Sequence, residues 1–422
     1  MKLLLYIIEL YQCFLGNLGY FRGLAQQSIL IYMYQKFQAP QIFTGSELIE
    51  GSDMVLVADE QGVIQELVPI MEAGEAVQKV DGILCPGFIN AHCHLELSHL
   101  KGMIPPKTGL QEFVKQIVGL RKVEDAIIQE AIEAAENEMY HNGIVAVGDI
   151  CNTLDTLNTK AKHKLAYYSF VELYDLDPTR AQDKINAGII IQNTFEQNCI
   201  RASLVPHAPY SCTFALLKLL AAHFGSHTIS MHNQETEAEN EFFKTKTGDF
   251  LGMYERTKVS LDFFHATNKS SLQSVLPKLN QAAAFILVHN SFTSTADIQE
   301  VQQQMPNTFW CLCPNANQYI ESTMPPIALL SAQKAKIVIG TDSYASNWSL
   351  NLLDELKTIQ LHHPEIQLAE MLSWATYNGA CALQMDKHLG SFAKGKKPGI
   401  VTINGLDEQG KLNKTSSIKR LI

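Results

Sequence analysis

The 422-residue sequence has no dense cluster of lysine and arginine, no Cys-x-x-Cys pair, no internal repeat and no low-complexity tract. Without a basic cluster the chain has no surface that could follow a phosphate backbone. Its formal net charge of -10 points the same way, so nucleic acid is not expected as a partner. Nine cysteines, an odd number spread through a long chain, are typical of reduced thiols, and we expect a cytoplasmic protein.

The first 33 residues are apolar and aromatic, but they lack the features of a targeting segment or a membrane span. Residues 1–33 have one early lysine, no small-residue cleavage site and an apolar core that Glu9 interrupts, so they make a poor signal peptide. Polar residues also break the run before it reaches the roughly 20 apolar residues that a span needs. We therefore predict an N-terminal extension of unknown role and no membrane partner.

Two short β patterns stand at opposite ends of the remaining sequence. Near its start, MVLVAD and VIQELV flank Gln61-Gly62, which predicts a hairpin. Near its end, GIVTIN at residues 399–404 has a similar strand pattern. Strands so far apart in sequence can pair only if the chain between them folds as one unit. We therefore predict a small β-sandwich domain formed by residues 34–86 and 391–422.

Between these ends the sequence contains eight short apolar runs, most of them separated by segments with helical periodicity. Near-continuous apolar strands that alternate with helices indicate a parallel sheet buried on both faces, and eight of them indicate a closed barrel. An open doubly wound sheet would instead need a Gly-rich phosphate loop after the first strand, and FINAHCHLE has none. We therefore predict an α/β fold, a (β/α)8 TIM-type barrel, at residues 87–390. The runs are Phe88–His94, Ile144–Ile150, Leu165–Leu173, Ala202–Ala208, Thr228–Asn233, Phe285–Asn290, Thr308–Pro314 and Lys336–Ser343.

Most of these runs finish with polar residues that an apolar strand has no reason to contain. In a barrel the carboxyl ends of all strands converge on one mouth, where the active sites of this fold lie. Taken singly, each histidine could be a core residue that hydrogen-bonds a carbonyl group. Their joint occurrence at one rim instead indicates a functional site. The residues are His92, His94, Asp149, Glu172, His207, His232, His289 and Asp342.

Three histidines and one carboxylate of this set form a candidate metal site. His92 and His94 are two positions apart on a strand and face the same side, while His232 and Asp342 come from the fifth and eighth runs. Nitrogen and oxygen ligands of this kind suit zinc or ferrous iron; zinc is the expected ion and iron the alternative. Such an ion lowers the pKa of bound water from about 15.7 to near 7 and so provides a nucleophile at neutral pH.

Glu235 follows His232 by three residues, where the strand turns into a helix. This spacing lets its carboxyl group lean over the metal without binding it, as required of an acid that protonates the substrate during attack by water. The alternative left open is that Glu235 is only one of several carboxylates favoured at a helix start by the helix dipole, like Glu237, Glu239 and Glu241.

Other hydrolytic motifs are incomplete or absent. Residues 94–96 (HLE) match the first half of the cytidine-deaminase zinc motif, but its Pro-Cys-x-x-Cys half is missing, because residues 311–314 (CLCP) have the wrong order and spacing. The sequence has neither a Gly-x-Ser-x-Gly elbow nor a His-Glu-x-x-His helix. The sequence therefore gives no support to the reactions that those motifs catalyse.

Taken together, the motifs resemble the amidohydrolase superfamily, in particular its mononuclear aminopurine and nucleoside deaminases. That branch includes enzymes acting on adenosine, S-adenosylhomocysteine, guanine and aminodeoxyfutalosine. The resemblance runs in order from about residue 37 to residue 403, and its last long motif is specific. The motifs are CPGFINAHCHLE, VPHAPYS, the strand-end His232 with Glu235, the strand-end His289, CPNAN and GTDSYASNWSLNLLDELK.

The resemblance assigns a role to each residue of the predicted site. It implies one divalent ion held by His92, His94, His232 and Asp342. Glu235 would protonate a ring nitrogen of the substrate, and Asp342 would take the proton of the attacking water and pass it to departing ammonia. His289 would orient or polarise that water, and His207 would meet the substrate. Binuclear members carry a lysine at the end of the fourth strand; none lies there in this sequence, so a single ion is expected.

The resemblance is weaker at the residues that would contact the substrate. Adenosine-type members tend to place a tryptophan in the loop after the first strand, whereas LKGMIPPKTGLQEFVKQ offers only Phe113. Glu96 matches the aminodeoxyfutalosine and guanine-acting members and would contact a polar substrate group, with a structural salt bridge as the equal alternative. CPNANQYIE has Ala316 where a serine is commoner, which removes a hydroxyl contact. Glu172 and Asn317 complete the candidate substrate contacts.

We therefore predict a metal-dependent hydrolase that deaminates an amino-substituted purine, nucleoside or related N-heterocycle, with aminodeoxyfutalosine as the favoured substrate. A first alternative is another hydrolysis on the same scaffold, such as dechlorination of a triazine or opening of a cyclic amide. A second is a non-catalytic barrel that serves as an interaction scaffold. The expected partner is a small-molecule substrate, and whether the chain forms a homo-oligomer is left open.

Overall fold

Strands and helices alternate along most of the chain in the computed structural model. The structure describes residues 34–279 and 281–422, so the predicted extension at 1–33 lies outside the described residues. Each of the eight predicted apolar runs contains a strand, and all eight strands start at the predicted residue or one residue away from it. The eighth strand ends at Ile339, four residues before the predicted end. The strands are Phe88–Cys93, Ile144–Cys151, Ala166–Leu173, Arg201–Pro206, Thr228–Asn233, Ala284–His289, Thr308–Leu312 and Lys336–Ile339.

These eight strands are parallel and follow one another around a ring. The first four form one hydrogen-bonded sheet and the last four form another, each in chain order. The two sheets meet where the His232 N–H donates to the His207 carbonyl oxygen at 2.8 Å. On the opposite side a parallel bridge joins Cys93 to Asp342, next to the eighth strand. The end of the first strand is therefore tied to the segment that follows the last.

Helices connect the strands, and two glycines with positive φ lie between a helix and the strand that follows it. Gly143 and Gly225 both have positive φ values, +78° and +44°, which glycine adopts without the steric cost that a side chain brings. The α-helices are Leu110–Leu120, Asp125–His141, Leu157–Lys160, Ala181–Gln197, Phe214–Ala221, Glu237–Thr245, Phe250–Thr257, Ser271–Val275, Thr295–Gln304, Pro314–Ile320, Ile327–Ala332, Leu352–His362, Leu368–Ser373 and Gly379–Ala382. Shorter 3-10 or π-helical turns are Leu95–Leu100, Pro178–Arg180, Pro209–Ser211, Leu276–Lys278 and Trp374–Asn378.

Two small sheets are built from the residues outside the ring. The predicted hairpin is present, because Met54–Asp59 pairs antiparallel with Ile64–Pro69. The C-terminal strand Ile400–Asn404 pairs with Ile83–Pro86 rather than with this hairpin, which belongs to the other sheet. The C-terminal strand therefore pairs with a strand from the N-terminal part of the chain, as expected, but that strand is Ile83–Pro86 and not a strand of the hairpin. One sheet contains Ile64–Pro69, Met54–Asp59, Tyr34–Gln38 and Gln78–Lys79, and the other contains Ser417–Arg420, Ile400–Asn404, Ile83–Pro86, Gln41–Phe43 and Leu48–Glu50.

The hydrophobic core follows from this arrangement. Every residue of Phe88–Cys93 and of Thr228–Asn233 is buried, as expected for strands covered on both faces. A separate cluster contains Phe37 and Leu56 from one small sheet and Ile400 from the other, so the two small sheets share an apolar interior. Among the described helices, none combines the length and the apolar character needed to cross a membrane.

A buried ion pair lies between the strands and the helices that cover them, next to Phe195 of the helix Ala181–Gln197. Lys160 and Asp149 both have 0% of their side-chain surface exposed, and the Lys160 Nζ lies 2.6 Å from the Asp149 Oδ2. Lys160 also donates to the Ser169 hydroxyl at 2.8 Å. The second carboxylate oxygen of Asp149 accepts the Leu95 N–H at 2.8 Å, directly after His94. The pair therefore anchors the start of the loop that follows the first strand.

Replacing Lys160 by methionine should destabilise the protein strongly, because it leaves the Asp149 carboxylate buried without a counter-charge. We expect the free energy of unfolding to fall by about 3–5 kcal/mol, measured by urea denaturation. In Lys160→Met/Asp149→Asn much of the loss should return, since the amide oxygen still accepts the Leu95 N–H. Lys162→Met, at an exposed lysine, should change the free energy by less than about 0.5 kcal/mol. Equal effects at both lysines would contradict this account.

Candidate metal centre

Four side chains from three separate strands meet at the carboxyl end of the ring. The Nε2 atom of His94 lies 3.2 Å from that of His92 and 3.1 Å from that of His232. The Oδ1 atom of Asp342 lies 3.5 Å from the Nε2 of His92 and 3.4 Å from that of His94. All four residues are buried, with at most 9% of their surface exposed. The structure thus brings together the four residues predicted as metal ligands.

The spacing of these atoms fits a single ion. Zinc binds imidazole nitrogen and carboxylate oxygen at about 2.0–2.2 Å, which places tetrahedrally arranged ligand atoms about 3.3–3.5 Å apart. The four measured separations, 3.1–3.5 Å, lie close to that range. Burial lowers the pKa of His94 to about 3 and that of His232 well below its usual value, so both imidazoles are neutral, as ligands must be.

Backbone contacts fix the ligands relative to one another. The N–H groups of Thr341 and Asp342 both donate to the His92 carbonyl oxygen, at 3.0 and 3.1 Å. Below them the Asn90 amide donates to the Thr341 hydroxyl at 2.8 Å. The Nδ1 of His232 donates to the His207 carbonyl oxygen at 2.9 Å, which turns its Nε2 toward the other ligands.

Ser346 is a residue that the sequence reasoning missed. Its hydroxyl donates to the Asp342 Oδ2 at 2.6 Å, which leaves Oδ1 facing the histidines. Burial alone would raise the pKa of Asp342, but the surrounding histidines hold it below its usual range, so the carboxyl is ionised. Ser346 lies four residues after Asp342 within the motif GTDSYASN, and that proximity was the available signal.

Ser346→Ala should weaken zinc binding, because the Asp342 carboxylate loses the hydrogen bond that fixes its orientation. We expect the dissociation constant for zinc to rise about 10–100-fold, measured by competition with a chromophoric chelator. Ser349→Ala is the matched control, since the Ser349 hydroxyl donates to Asp354 rather than to a ligand. An unchanged dissociation constant in Ser346→Ala would show that the orientation of Asp342 does not depend on this contact.

Glu235 lies beside the four ligands and faces His289. Its side chain is buried, and its Oε1 lies 3.6 Å from the His289 Nε2. Burial, together with the negative charge of Asp342, raises the pKa of Glu235 well above its usual value and so favours the protonated carboxyl group. A protonated carboxyl group at this position is suited to act as a general acid.

Asn317 orients the imidazole of His289. The His289 Nδ1 donates to the Asn317 Oδ1 at 3.2 Å, so in the neutral ring the Nε2 that faces Glu235 is the acceptor nitrogen. Burial lowers the pKa of His289 and favours that neutral form. His289 has a φ of +72° and Asp342 a φ of +57°, in the left-handed region that non-glycine residues rarely occupy. Such strain is concentrated at functional sites in proteins.

Glu172 and His207 form one side of the centre. The Oε2 of Glu172 accepts the Asn152 amide N–H at 3.0 Å, while its buried Oε1 has no hydrogen-bond partner within the described part of the chain. The His207 ring lies 4.9 Å from the His232 ring, centroid to centroid, and its Nδ1 is hydrogen-bonded to the Ser211 hydroxyl at 2.6 Å. A buried carboxylate oxygen without a partner is available to accept a hydrogen bond from a ligand.

Glu96 and Phe113 have different surroundings. Glu96 is only 2% exposed; it is paired with Arg121 and accepts hydrogen bonds from the N–H groups of Asn152 and Thr153 at 3.2 Å. These contacts favour the structural salt bridge that the sequence left open. Phe113 lies on the helix Leu110–Leu120 and packs into the main hydrophobic core.

The four side chains form a candidate metal centre at the mouth of an α/β barrel. The Amidohydrolase family description matches residues 83–421, about four-fifths of the chain. The chain therefore belongs to the amidohydrolase family, which confirms the resemblance inferred from the motifs and the prediction of a hydrolytic enzyme.

Several relatives carry the names of deaminases. The chain is 28% identical over 324 residues to an adenosine deaminase of Helicobacter pylori, a match that covers 72% of this chain and 75% of that one. It is 25% identical over 385 residues to a 5'-deoxyadenosine deaminase of Methanococcus vannielii, covering 86% and 85% of the two chains. These matches extend over most of each relative.

Solved structures of similar proteins show the fold. The aminofutalosine deaminase of Helicobacter pylori in complex with methylthio-coformycin has a TM-score of 0.73 at 23% identity, covering 90% of this chain and 93% of that one. A guanine deaminase of C. acetobutylicum with bound guanine has a TM-score of 0.68 at 16% identity, covering 88% and 91%. At these identities the likeness concerns the fold alone, which is the TIM-type α/β barrel predicted from the sequence.

Proposed function

We propose that this protein catalyses the hydrolytic deamination of an amino-substituted purine, nucleoside or related N-heterocycle and releases ammonia. The observation that carries the proposal is the buried Glu235, 3.6 Å from His289, beside a compact set of three histidines and one aspartate. Water attack on a ring carbon requires the adjacent ring nitrogen to be protonated, and Glu235 holds a proton for that step. The names of the relatives agree with this activity.

Zinc is the proposed metal, with iron as the alternative, and one ion per chain is expected. His92, His94, His232 and Asp342 would hold it, and their nitrogen and oxygen donors suit either ion. When bound, the ion acts as a Lewis acid that lowers the pKa of water to near 7. An adenosine deaminase from Xanthomonas campestris with bound zinc has the same fold, at a TM-score of 0.67.

The remaining steps belong to side chains of the site. Glu235 gives its proton to the ring nitrogen of the substrate, and the ionised Asp342 accepts a proton of the attacking water. The bond between the ring carbon and the amino group then breaks as Asp342 delivers this proton to the departing ammonia, and the hydroxyl proton left on the ring carbon returns to Glu235 as the carbonyl group forms. His289 orients that water through its Nε2, which Asn317 leaves as the acceptor nitrogen. Burial of all these groups excludes bulk water and strengthens each interaction.

Substrate contacts are proposed for the side of the site formed by Glu172 and His207. The Oε1 of Glu172 lies 3.4 Å from the His232 Nδ1 and accepts no hydrogen bond from the described residues, so it would accept one from a substrate hydroxyl or amine, and His207 would contact the same ligand. Of the other predicted contacts, Asn317 lies beside His289 and stays in the proposal, whereas Glu96 pairs with Arg121 and Phe113 packs into the main hydrophobic core. Aminodeoxyfutalosine is the favoured substrate, a choice supported by the residues after His94 and by the likeness to the aminofutalosine deaminase structure.

The domain organisation and the cellular location belong to the same proposal. We assign the barrel to residues 87–390 and a small β-sandwich domain to residues 34–86 and 391–422, supported by the apolar cluster that the two small sheets share. A cytoplasmic location is inferred from the scattered cysteines, of which the eight in the described residues are free thiols.

Assay of ammonia release by zinc-loaded protein tests the proposed activity. The panel should include adenosine, 5'-deoxyadenosine, S-adenosylhomocysteine, guanine and aminodeoxyfutalosine, and at least one member should be turned over. The triazine hydrolase of Arthrobacter aurescens has a TM-score of 0.69 to this chain, so a chlorinated triazine and a cyclic amide belong in the panel. Turnover of only those compounds would favour the first alternative. If zinc is bound and no compound of the panel is turned over, the result would favour a non-catalytic scaffold.

A further inference from the structure

One buried glutamate near the catalytic centre has no role in the mechanism described above. The helix Glu237–Thr245 carries Glu237, Glu239 and Glu241 near its start. Glu237 and Glu241 are exposed, as expected for carboxylates placed there by the helix dipole, whereas Glu239 is 0% exposed. Burying a carboxyl group is unfavourable unless it makes hydrogen bonds, so Glu239 requires a different explanation from its neighbours.

Glu239 contacts the backbone of the turn that contains Glu235. Its Oε1 accepts the N–H of Gln234 at 3.1 Å. Gln234 is buried and has a φ of +46°, in the left-handed region, so the backbone immediately before Glu235 is strained and must be held by its surroundings. The contact with Glu239 is therefore positioned to maintain this conformation.

Two hydrogen bonds hold the side chain of Gln234. The Thr293 hydroxyl donates to the Gln234 Oε1 at 2.6 Å, and the Gln234 Nε2 donates to the Asn240 Oδ1 at 3.0 Å. The backbone N–H of Gln234, by contrast, has only the Glu239 carboxyl as acceptor among the described residues. Glu239 is thus the single contact that satisfies this buried donor.

We propose that Glu239 is a positioning residue that holds the Gln234–Glu235 turn, so that the Glu235 carboxyl faces His289 and the metal ligands. The expected effect on catalysis rests on the proposed deaminase function, whereas the hydrogen bond between Glu239 and Gln234 does not depend on it. Displacement of an acid by about 1 Å from its productive position costs roughly 100-fold in rate. The contribution of Glu239 should therefore appear in kcat rather than in substrate binding.

A neutral hydrogen-bond acceptor should be sufficient for this role. Burial raises the pKa of Glu239 to about 8, although the hydrogen bond from Gln234 opposes the shift, so the carboxyl is mostly protonated at neutral pH. A protonated carboxyl keeps its carbonyl oxygen as an acceptor for the Gln234 N–H. Glutamine reproduces this acceptor, and methionine has a similar length without one.

The test compares Glu239→Met and Glu239→Gln with Glu237→Met, a matched change at an exposed glutamate of the same helix. With the best substrate of the panel, Glu239→Met should lower kcat about 100-fold and change KM less than about threefold. Glu239→Gln and Glu237→Met should stay within about threefold of the unmodified protein in both constants. All variants should bind one zinc per chain, because no ligand is altered.

Amide hydrogen exchange gives a second measurement that does not require activity. The peptide covering residues 233–236 should exchange at least about tenfold faster in Glu239→Met than in Glu239→Gln. Unchanged kcat and unchanged exchange in Glu239→Met would overturn the proposal. A large loss of kcat in Glu239→Gln would also overturn it, even if Glu239→Met does not fold, because charge would then be required. If the unmodified protein turns over no substrate, the proposed function fails while the exchange comparison still decides the role of Glu239.

Discussion

Asp342→Asn should abolish turnover while leaving the fold intact. Asp342 has two roles in the proposed mechanism, as a metal ligand and as the group that moves a proton from water to ammonia. Loss of general base catalysis alone costs about 100- to 10,000-fold, so we expect kcat to fall by at least about 10,000-fold when both roles are impaired. Ammonia release under saturating substrate measures this loss.

Asparagine is chosen because it preserves the local structure at Asp342. The residue has a φ of +57°, a conformation that asparagine tolerates better than most residues with a side chain. Its amide group can also stay close to the Ser346 hydroxyl, which contacts Asp342 Oδ2. Circular dichroism and zinc content should be recorded with Asp183→Asn, at an exposed position of the helix Ala181–Gln197, as the control. Near-normal activity of Asp342→Asn would refute the proton-transfer role.

Glu235→Gln should reduce kcat by about 100- to 10,000-fold without loss of zinc. The amide cannot donate a titrating proton to the ring nitrogen, whereas the metal ligands are untouched. Glu241→Gln, at an exposed glutamate on the helix that follows, should have no effect on kcat. Zinc content equal to that of the unmodified protein is needed to assign the loss to proton transfer. Retained kcat in Glu235→Gln would mean that another group supplies the proton.

The pH dependence of the unmodified enzyme provides an independent test of Glu235 as the acid. The acid form is the active form, so activity should be present below the pKa of Glu235 and should fall as the pH rises through it. Because burial raises this pKa well above its usual value, the fall is expected at a distinctly higher pH than the titration of an ordinary glutamate. A rate that rises with pH throughout that range would contradict the assignment of Glu235 as the acid.

The α/β barrel and the grouping of the four candidate ligands could be predicted from the sequence for a simple physical reason. Strands buried on both faces must be almost entirely apolar, so His92, His94, His232 and Asp342 are conspicuous at their ends. The barrel then determines that these ends meet, which is why ligands up to 250 residues apart could be grouped before any coordinates were known.

Other features depended on tertiary contacts that local patterns do not encode. Glu237 and Glu239 are the same residue type on the same helix, and only the packing of neighbouring segments makes one exposed and the other buried. Lys160 is similarly inconspicuous in sequence, although its side chain is fully buried. The partner of Glu96, Arg121, is 25 residues away and is not marked by any motif. Burial and pairing of charged residues are set by the three-dimensional neighbourhood.

The pairing of Ile83–Pro86 with Ile400–Asn404 has a consequence for biosynthesis. At a translation rate of roughly 5–20 residues per second, the second strand emerges roughly 15–60 s after the first. Throughout this interval one edge of the earlier strand presents open backbone N–H and C=O groups to other nascent polypeptides, and such edges promote aggregation. The yield of native protein in a recombinant host should therefore depend on elongation speed and on the supply of chaperones that shield this edge until the ribosome has finished.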